Sequence, residues 1–209
     1  MNLKENIKMK YRFRCEDREY KSWCLYDSIS LSLIDNSSPI ISNVNPIKEK
    51  LLDQDTFIYD EETKNIDIIH SSVREMPLIP GVLILDKQYG FFKDKYLYKL
   101  YPDDKRLPIF LVPYKIKKIG FDKNKKNIYV TIKFNNWREK HPIGNIVQKI
   151  GDVDILNNFY EYQLYCKSLN ASIQKFTKKA LKSLQEKSED KYIEDILKNE
   201  KIEDRRDKY

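Results

Sequence analysis

The chain has 209 residues, of which 41% are hydrophobic and 34% are charged, enough to pack one or two small domains beneath an ionic surface. Five glycines and eight prolines are too few for a low-complexity or fibrous protein. No stretch approaches the ~20 apolar residues that cross a membrane, and the N-terminus has no apolar core of signal-peptide length. The three cysteines form no CxxC pair, so we expect no zinc site, and we expect no cofactor. We expect the thiols to be reduced, in an intracellular protein that is cytoplasmic or nuclear.

Positive charge is concentrated in the middle of the chain. The formal net charge is +7, but residues 81–149 carry 16 basic and 6 acidic side chains, a net of +10. Residues 1–80 have a net charge of −3 and residues 150–209 are neutral. A localised basic segment indicates a polyanionic partner more strongly than diffuse basicity does. A solvated lysine-rich face gives the same count, so charge alone leaves both interpretations open.

The N-terminal part predicts a small β domain. We interpret residues 1–9 as a tail and residues 10–70 as a degenerate OB-like barrel. Five short segments of strand character, separated by turn-forming residues, support this interpretation: residues 11–15, 23–26, 29–33, 56–59 and 66–69. Pro77 and Pro80 then mark a boundary near residues 71–77.

The remaining chain predicts a second barrel and a helical tail. Within residues 77–170, six segments have strand character: residues 81–85, 89–92, 96–100, 107–112, 128–134 and 144–150. Alternating apolar residues favour a further strand over residues 158–166. After Asn170 the period becomes helical, so residues 171–209 predict a helical, charged tail. The expected fold class is mainly β, with two small cold-shock-like OB barrels followed by this tail.

Two phrases in the second barrel carry a family resemblance. They are residues 101–109 (YPDDKRLPI) and residues 141–153 (HPIGNIVQKIGDV), with Trp137 after the long central strand. Residues 77–180 resemble the second cold-shock-type OB fold of the ribonuclease II family, in the form found in the catalytic subunit of the eukaryotic RNA exosome. Residues 10–70 do so weakly. Asn145 stands where the family has an aromatic residue or histidine, and Gln148-Lys149 replaces a usual arginine.

The resemblance implies a role in RNA binding. Family members bind single-stranded RNA between cold-shock folds and thread it into a catalytic barrel, where clustered aspartates hold magnesium. No such cluster is evident here, because Asp103-Asp104 adjoins Lys105-Arg106 and the later acidic pairs alternate with lysines. We therefore expect no catalytic or metal-binding residue, although a 3′–5′ exoribonuclease label could be inherited from the family.

Three functions follow from this interpretation. The leading prediction is a non-catalytic module that binds single-stranded RNA. The first alternative is the RNA-feeding part of a split or truncated exoribonuclease, working with a separate catalytic chain or an exosome-like assembly. The second is a protein-interaction adaptor that kept the OB fold, and its sign would be exposed aromatic residues without lysines around them.

Candidate RNA contacts are aromatic residues that stack bases and cations that bind phosphates. The predicted set is Tyr89, Phe91, Lys93, Tyr96, Tyr98, Arg106, Lys115, Lys117, Lys118, Lys133, Arg138 and Lys149. Successive strand side chains face opposite ways, so Phe91 and Phe92 cannot both be exposed. Burial is the alternative for each aromatic residue, and a solubilising hairpin tip is the alternative for the lysine run after Lys115.

Overall fold

The computed structural model describes residues 9–116, 126–169, 173–186 and 188–200. One compact unit ends at Leu169 and a second begins at Asn170. The first unit holds two β-sheets, so the mainly β class is confirmed. None of the helices in the described ranges is long and apolar enough to cross a bilayer.

The first sheet is antiparallel and has four strands. They are β1 (Lys10–Cys15), β2 (Trp23–Asp27), β3 (Thr56–Tyr59) and β4 (Ile66–His70), in the order β2-β1-β3-β4. Phe13, Leu25 and Phe57 are fully buried beneath it. A short helix, α1 (Pro39–Asn43), lies between β2 and β3, and α2 (Ser72–Glu75) follows β4. Pairing among the described strands leaves this sheet open, with β2 and β4 at its edges.

Residues 29–33 form a turn and not the predicted strand. The Asp27 carboxylate accepts hydrogen bonds from the backbone N–H groups of Ile29 at 2.9 Å and Ser30 at 2.7 Å. This local capping competes with a sheet ladder, as aspartate side chains commonly do. Only Leu33 returns to the sheet, through a single bridge to Tyr26, and Ile29 is left 85% exposed.

The second sheet closes into a barrel. Its strands are β5 (Ile79–Ile84), β6 (Phe91–Phe92), β7 (Lys95–Pro102), β8 (Phe110–Tyr114), β9 (Ile128–Asn136) and β10 (Ile143–Asp152). The order is β5-β9-β10-β8-β7-β6, and β5 also pairs with β7 to close the sheet. The β8–β10 pairing is parallel and the others are antiparallel. Five strands, β5 and β7 to β10, thus form the closed barrel, and β6 pairs only with β7. A closed barrel of five strands is that of an OB fold, as predicted.

Two glycines of the second sequence phrase have packing roles. A Cβ on Gly144 would overlap with the Ile132 side chain, where β10 crosses β9. A Cβ on Gly151 would overlap with the Asn158 side chain, at the end of β10. Both positions therefore require a residue without a side chain, because neighbouring groups occupy that space.

Residues 156–166 form a helix, so the strand predicted over residues 158–166 is wrong. Helix α3 (Leu156–Cys166) packs Tyr162 and Tyr165 against the barrel. Tyr162 stacks on Tyr129 of β9, with ring centroids 4.2 Å apart. A three-residue spacing brings Tyr162 and Tyr165 to one face of the helix. The period-two alternation of the sequence also included Tyr160, which is exposed in the structure.

The predicted helical tail is confirmed for its described residues. The second unit contains α4 (Ile173–Glu186) and α5 (Glu189–Glu200). Phe176 and Leu181, two of the apolar residues of α4, are exposed.

Arginine side chains join the first sheet to the barrel. Arg18 donates to the backbone carbonyls of Pro102 at 2.5 Å and Leu107 at 3.2 Å. Arg106 contacts the buried carboxylate of Asp53 at 3.3 Å. These bonds hold the loop that carries the first sequence phrase, residues 103–109, against the N-terminal sheet. We call this set of contacts the junction.

A third arginine at the junction, Arg74, neutralises a buried acid. Arg74 lies 2.9 Å from Asp55, donates to the Lys50 carbonyl at 2.7 Å and covers the Phe134 ring of β9 at 5.5 Å. The Asp55 carboxylate also accepts from the Ser71 hydroxyl. Burial is the largest effect on Asp55 and raises its pKa, against the opposing effects of Leu52, Ser71 and Arg74. Arg74 therefore compensates a charge that water does not reach.

Replacing Arg74 should destabilise the fold. Arg74→Gln leaves the Asp55 carboxylate buried without its cation, and we expect a loss of about 3 kcal/mol in the free energy of unfolding. Urea denaturation at pH 7 measures this loss. The deficit should shrink toward pH 5, since a carboxyl whose folded-state pKa is raised becomes neutral, and less costly to bury, as the pH falls.

Arg14→Gln is the matched control, because Arg14 is an exposed arginine on β1. Equal midpoints for the two variants would contradict the role assigned to Arg74.

Candidate nucleic-acid interface

The loop between β5 and β7 folds back over the outside of the barrel. The backbone N–H of Tyr89 donates to the Leu97 carbonyl at 2.8 Å, and the N–H of Leu97 donates to the Gly90 carbonyl at 2.9 Å. This pair of bonds pins the loop along β7. In OB folds, the equivalent loop and the two strands that correspond to β7 and β8 form the face that binds oligonucleotides.

Tyr89 is flanked by two lysines. Its ring is partly exposed, with the Lys99 ammonium 4.3 Å and the Lys87 ammonium 5.8 Å from the ring centroid. The negative face of an aromatic ring attracts a cation at these distances. Lys99 lies on β7 and Lys87 on the loop, so contacts from both elements converge on one ring.

The β6–β7 hairpin carries the next aromatic group. Lys93 and Asp94 both have positive φ values, 47° and 61°, which form the two-residue turn between the strands. Phe91 is 62% exposed and meets the Tyr96 ring edge-on at 5.2 Å. Phe92 is half-buried, with the Lys93 ammonium 5.5 Å from its centroid. Phe91 is thus the more exposed of the pair, and neither ring lies in the barrel core.

A pocket of about 220 Å³ opens beside this hairpin. It is lined by Phe92, Lys93, Lys95, Pro113, Asn135 and Asn145. Lys133 of β9 pairs with Asn145 of β10 in the strand register and extends the same surface. We call Tyr89, Phe91, Phe92, Lys93, Lys95, Lys99 and Lys133 the aromatic–lysine surface. Its lysines form no ion pair with any carboxylate in the described part of the chain.

Positive charge continues into the β9–β10 loop, residues 137–142. Burial lowers the pKa of His141, and the nearby Lys99 and Lys140 ammonium groups lower it further. Lys99, whose ammonium group contacts the Tyr89 ring, is thus one of the cations that act on His141. Arg138 in the same loop is exposed, and its role as a phosphate contact stays a prediction.

Tyr98 is not a base contact. Its ring is 1% exposed inside the barrel, and its hydroxyl accepts a hydrogen bond from the Gln88 amide at 3.3 Å. A buried ring cannot stack on a base, so the prediction for Tyr98 is wrong. Tyr96, predicted on the same strand face, is exposed and is the second residue of β7.

Two predicted cations are held by carboxylates. Arg106 donates to Asp104 through Nε at 2.9 Å and also contacts Asp53. Its charge is therefore compensated by two carboxylates at the junction. Lys149 lies 4.0 Å from Asp152 and four residues beyond Asn145 along β10, ~13 Å away at strand spacing. Neither joins the aromatic–lysine surface.

The remaining predicted lysines divide into two groups. Lys115 is exposed just after β8. Lys117 and Lys118 lie outside the described residues, so their assignment stays a prediction.

Sequence reasoning missed four of the residues that the structure brings to this face: Lys87, Lys95, Lys99 and Asn135. The signal for Lys99 was the period of β7. Leu97, Lys99 and Tyr101 alternate with Tyr98 and Leu100, and the fully buried Leu100 identifies the second set as inward. Asn135 continues the exposed side of β9 that carries Lys133, so the period of that strand was its signal. Lys87 depends on loop folding, which a period does not reveal.

The strand order and parallel β8–β10 pair define an OB-fold domain, and sequence comparison identifies its type. Residues 97–161 match the family model described as Dis3-like cold-shock domain 2 (CSD2). This part of the chain is therefore similar to the second cold-shock domain of Dis3-like proteins, which confirms the resemblance drawn from the two sequence phrases.

Other comparisons give less detail. The solved structure of yeast Ssd1, a pseudonuclease, is similar over 74% of this chain, at 14% sequence identity and a TM-score of 0.45. The match covers 24% of the Ssd1 chain, so this chain spans about a quarter of that structure. Sequence comparison with curated proteins finds no match. Across the described ranges, no three His, Cys, Asp or Glu side chains are grouped to hold a metal ion.

His141 should make folding pH-dependent. Its folded-state pKa is lowered from the ordinary value of about 6.5, so the unfolded chain binds the proton more tightly. Stability is therefore full above pH 6.5 and is lost as the pH falls through the window below it. Urea midpoints at pH 7 and pH 5 should differ less for His141→Gln than for the unsubstituted protein. Equal pH dependence in both proteins would show that His141 contributes nothing.

Proposed function

We propose that the OB domain binds single-stranded RNA through the aromatic–lysine surface, as a non-catalytic module. The observation that carries the proposal is the pairing of accessible aromatic rings with lysines 4.3 to 5.8 Å from their centroids. A nucleotide offers complementary parts, a flat base for the ring and an anionic phosphate for the ammonium group.

The preference for a single-stranded ligand follows from the position of the aromatic rings. Tyr89, Phe91 and Phe92 belong to a loop and a hairpin laid over the barrel wall, and stacking on them requires a base whose face is free. Bases within a duplex are stacked on their neighbours, so unpaired strands are the expected ligand. The choice of RNA over DNA rests on the Dis3-like cold-shock match.

The adaptor alternative is less well supported on this face. Its expected sign is a group of exposed aromatic rings without lysines, whereas Tyr89 and Phe92 have ammonium groups beside them. An RNA-feeding role beside a separate catalytic chain would use the same surface. The experiments below therefore test the step shared by that role and by a standalone module.

Removing lysines should weaken RNA binding and its salt dependence. We expect the full chain to bind a labelled single-stranded RNA in fluorescence anisotropy, with affinity that falls steeply as salt rises from about 50 to about 200 mM. Lys95→Ala and Lys133→Ala should each lower the slope of log affinity against log salt by roughly 0.7, the value for one lost phosphate contact on a single strand.

Lys48→Ala removes the same charge from an exposed turn between α1 and β3 and is the matched control. The proposal fails if the unsubstituted protein binds no RNA at the lowest salt. The assignment of this face fails if Lys48→Ala lowers the slope as much as Lys95→Ala.

Removing the exposed ring should weaken binding without changing the salt slope. Phe91→Ala takes away a stacking platform, at an expected cost of about 1 to 3 kcal/mol in binding free energy. Tyr160→Ala removes a comparably exposed ring, 54% accessible, from α3 and should leave the affinity unchanged. Equal losses in the two variants would argue against stacking on Phe91.

A further inference from the structure

The pocket beside the β6–β7 hairpin contains two asparagines from adjacent strands. Asn135 lies on β9 and Asn145 on β10, and both side chains are exposed. Neither carboxamide forms a hydrogen bond with another of the described residues. Each amide therefore presents a free acceptor oxygen and two free donor hydrogens to whatever enters the pocket.

Asn135 lies at a β-bulge, on the exposed side of β9. Asn136 pairs with Ile143 and Phe134 pairs with Gly144, so one residue of β9 has no partner in β10. That residue is Asn135. Its side chain continues the alternation of β9, in which Lys133 and Asn135 are exposed and Phe134 between them is half-buried. The same side of the sheet carries Asn145, whose partner in the register is Lys133, so the two amides line one pocket.

The other walls of the pocket suit a flat ring with a phosphate attached. Phe92 and Pro113 supply apolar faces, and Lys93 and Lys95 supply cations. The volume of about 220 Å³ exceeds the ~150 Å³ that admits a benzene ring in a protein cavity, so one nucleobase can enter. Unpaired bases in RNA are recognised in this way, by stacking together with hydrogen bonds to their edges.

We infer that this pocket is a base-reading subsite, in which Asn135 and Asn145 select one unpaired base of the RNA by hydrogen bonds to its edge. The inference rests on the proposed function and adds sequence preference to it. Stacking on Tyr89 and Phe91 tolerates every base, because every base has a π-face. Edge hydrogen bonds differ among bases, because each base displays its own pattern of donors and acceptors.

The test compares homopolymers. Affinities of the full chain for labelled oligo(A), oligo(C) and oligo(U) give a ratio between the best and the poorest ligand. In the double variant Asn135→Ala/Asn145→Ala that ratio should fall roughly tenfold, the effect of losing one good pair of edge hydrogen bonds. The affinity for the poorest homopolymer should change little, since the stacking residues and lysines remain.

Asn136→Ala is the matched control, since Asn136 neighbours Asn135 on β9 but does not line the pocket. It should keep the ratio of the unsubstituted protein. If the double variant also keeps it, or the unsubstituted protein binds all three homopolymers equally, the base-reading inference is overturned while RNA binding stands. If no homopolymer binds at low salt, the proposed function fails as well.

Discussion

Closure of the barrel is the constraint from which the proposed interface follows. β5 pairs with β7 on one side and with β9 on the other, and β10 joins β8 in parallel. Once the sheet is closed, each strand has one face inside and one outside. Leu100 and Phe110 fill the interior, and Lys99 must then project outward from β7. The barrel core therefore determines which lysines can reach a ligand.

The junction explains why the most recognisable phrase of the sequence is not part of that surface. The loop of residues 103–109 lies against the N-terminal sheet, where Arg18 binds its carbonyl groups and Asp53 binds Arg106. Trp137, 9% exposed, packs near Tyr20, which lies between β1 and β2 of the first sheet. The charged residues of this phrase therefore stabilise the packing of the two sheets, and the proposed phosphate contacts lie outside the phrase.

The candidate interface combines residues of paired strands with residues of a loop. β7 to β10 hold Lys99, Lys133, Asn135 and Asn145 on a hydrogen-bonded frame, and the β5–β7 loop adds Tyr89 through backbone bonds to β7. Rings, ammonium groups and amides meet within a few residues of the β6–β7 hairpin. Each group has a different task in the proposal. Rings stack on bases, lysines attract phosphates, and the two amides discriminate among bases.

Local patterns in the sequence were sufficient for the barrel strands. Alternating β-branched and aromatic residues predicted β9, and the proline-x-glycine turn with Gly151 predicted β10 and the family of the domain. The concentration of lysines in residues 81–149 indicated a polyanionic ligand. The strands and the charge distribution could be predicted because side-chain alternation and charge along the chain are local properties of the sequence.

Long-range packing decided the rest. Residues 156–166 alternate like a strand, but burial of Tyr162 and Tyr165 against Tyr129 selects a helix. Tyr98 and Lys99 are neighbours in sequence, and only closure of the barrel places one in the core and the other beside Tyr89. Asn135 and Asn145 come from two strands, and the pairing of β9 with β10 brings both to one pocket. Local patterns specify most strands of the barrel and its net charge. Which side chains share one exposed face depends on pairing between segments that are distant in the sequence, so only closure of the barrel decides it.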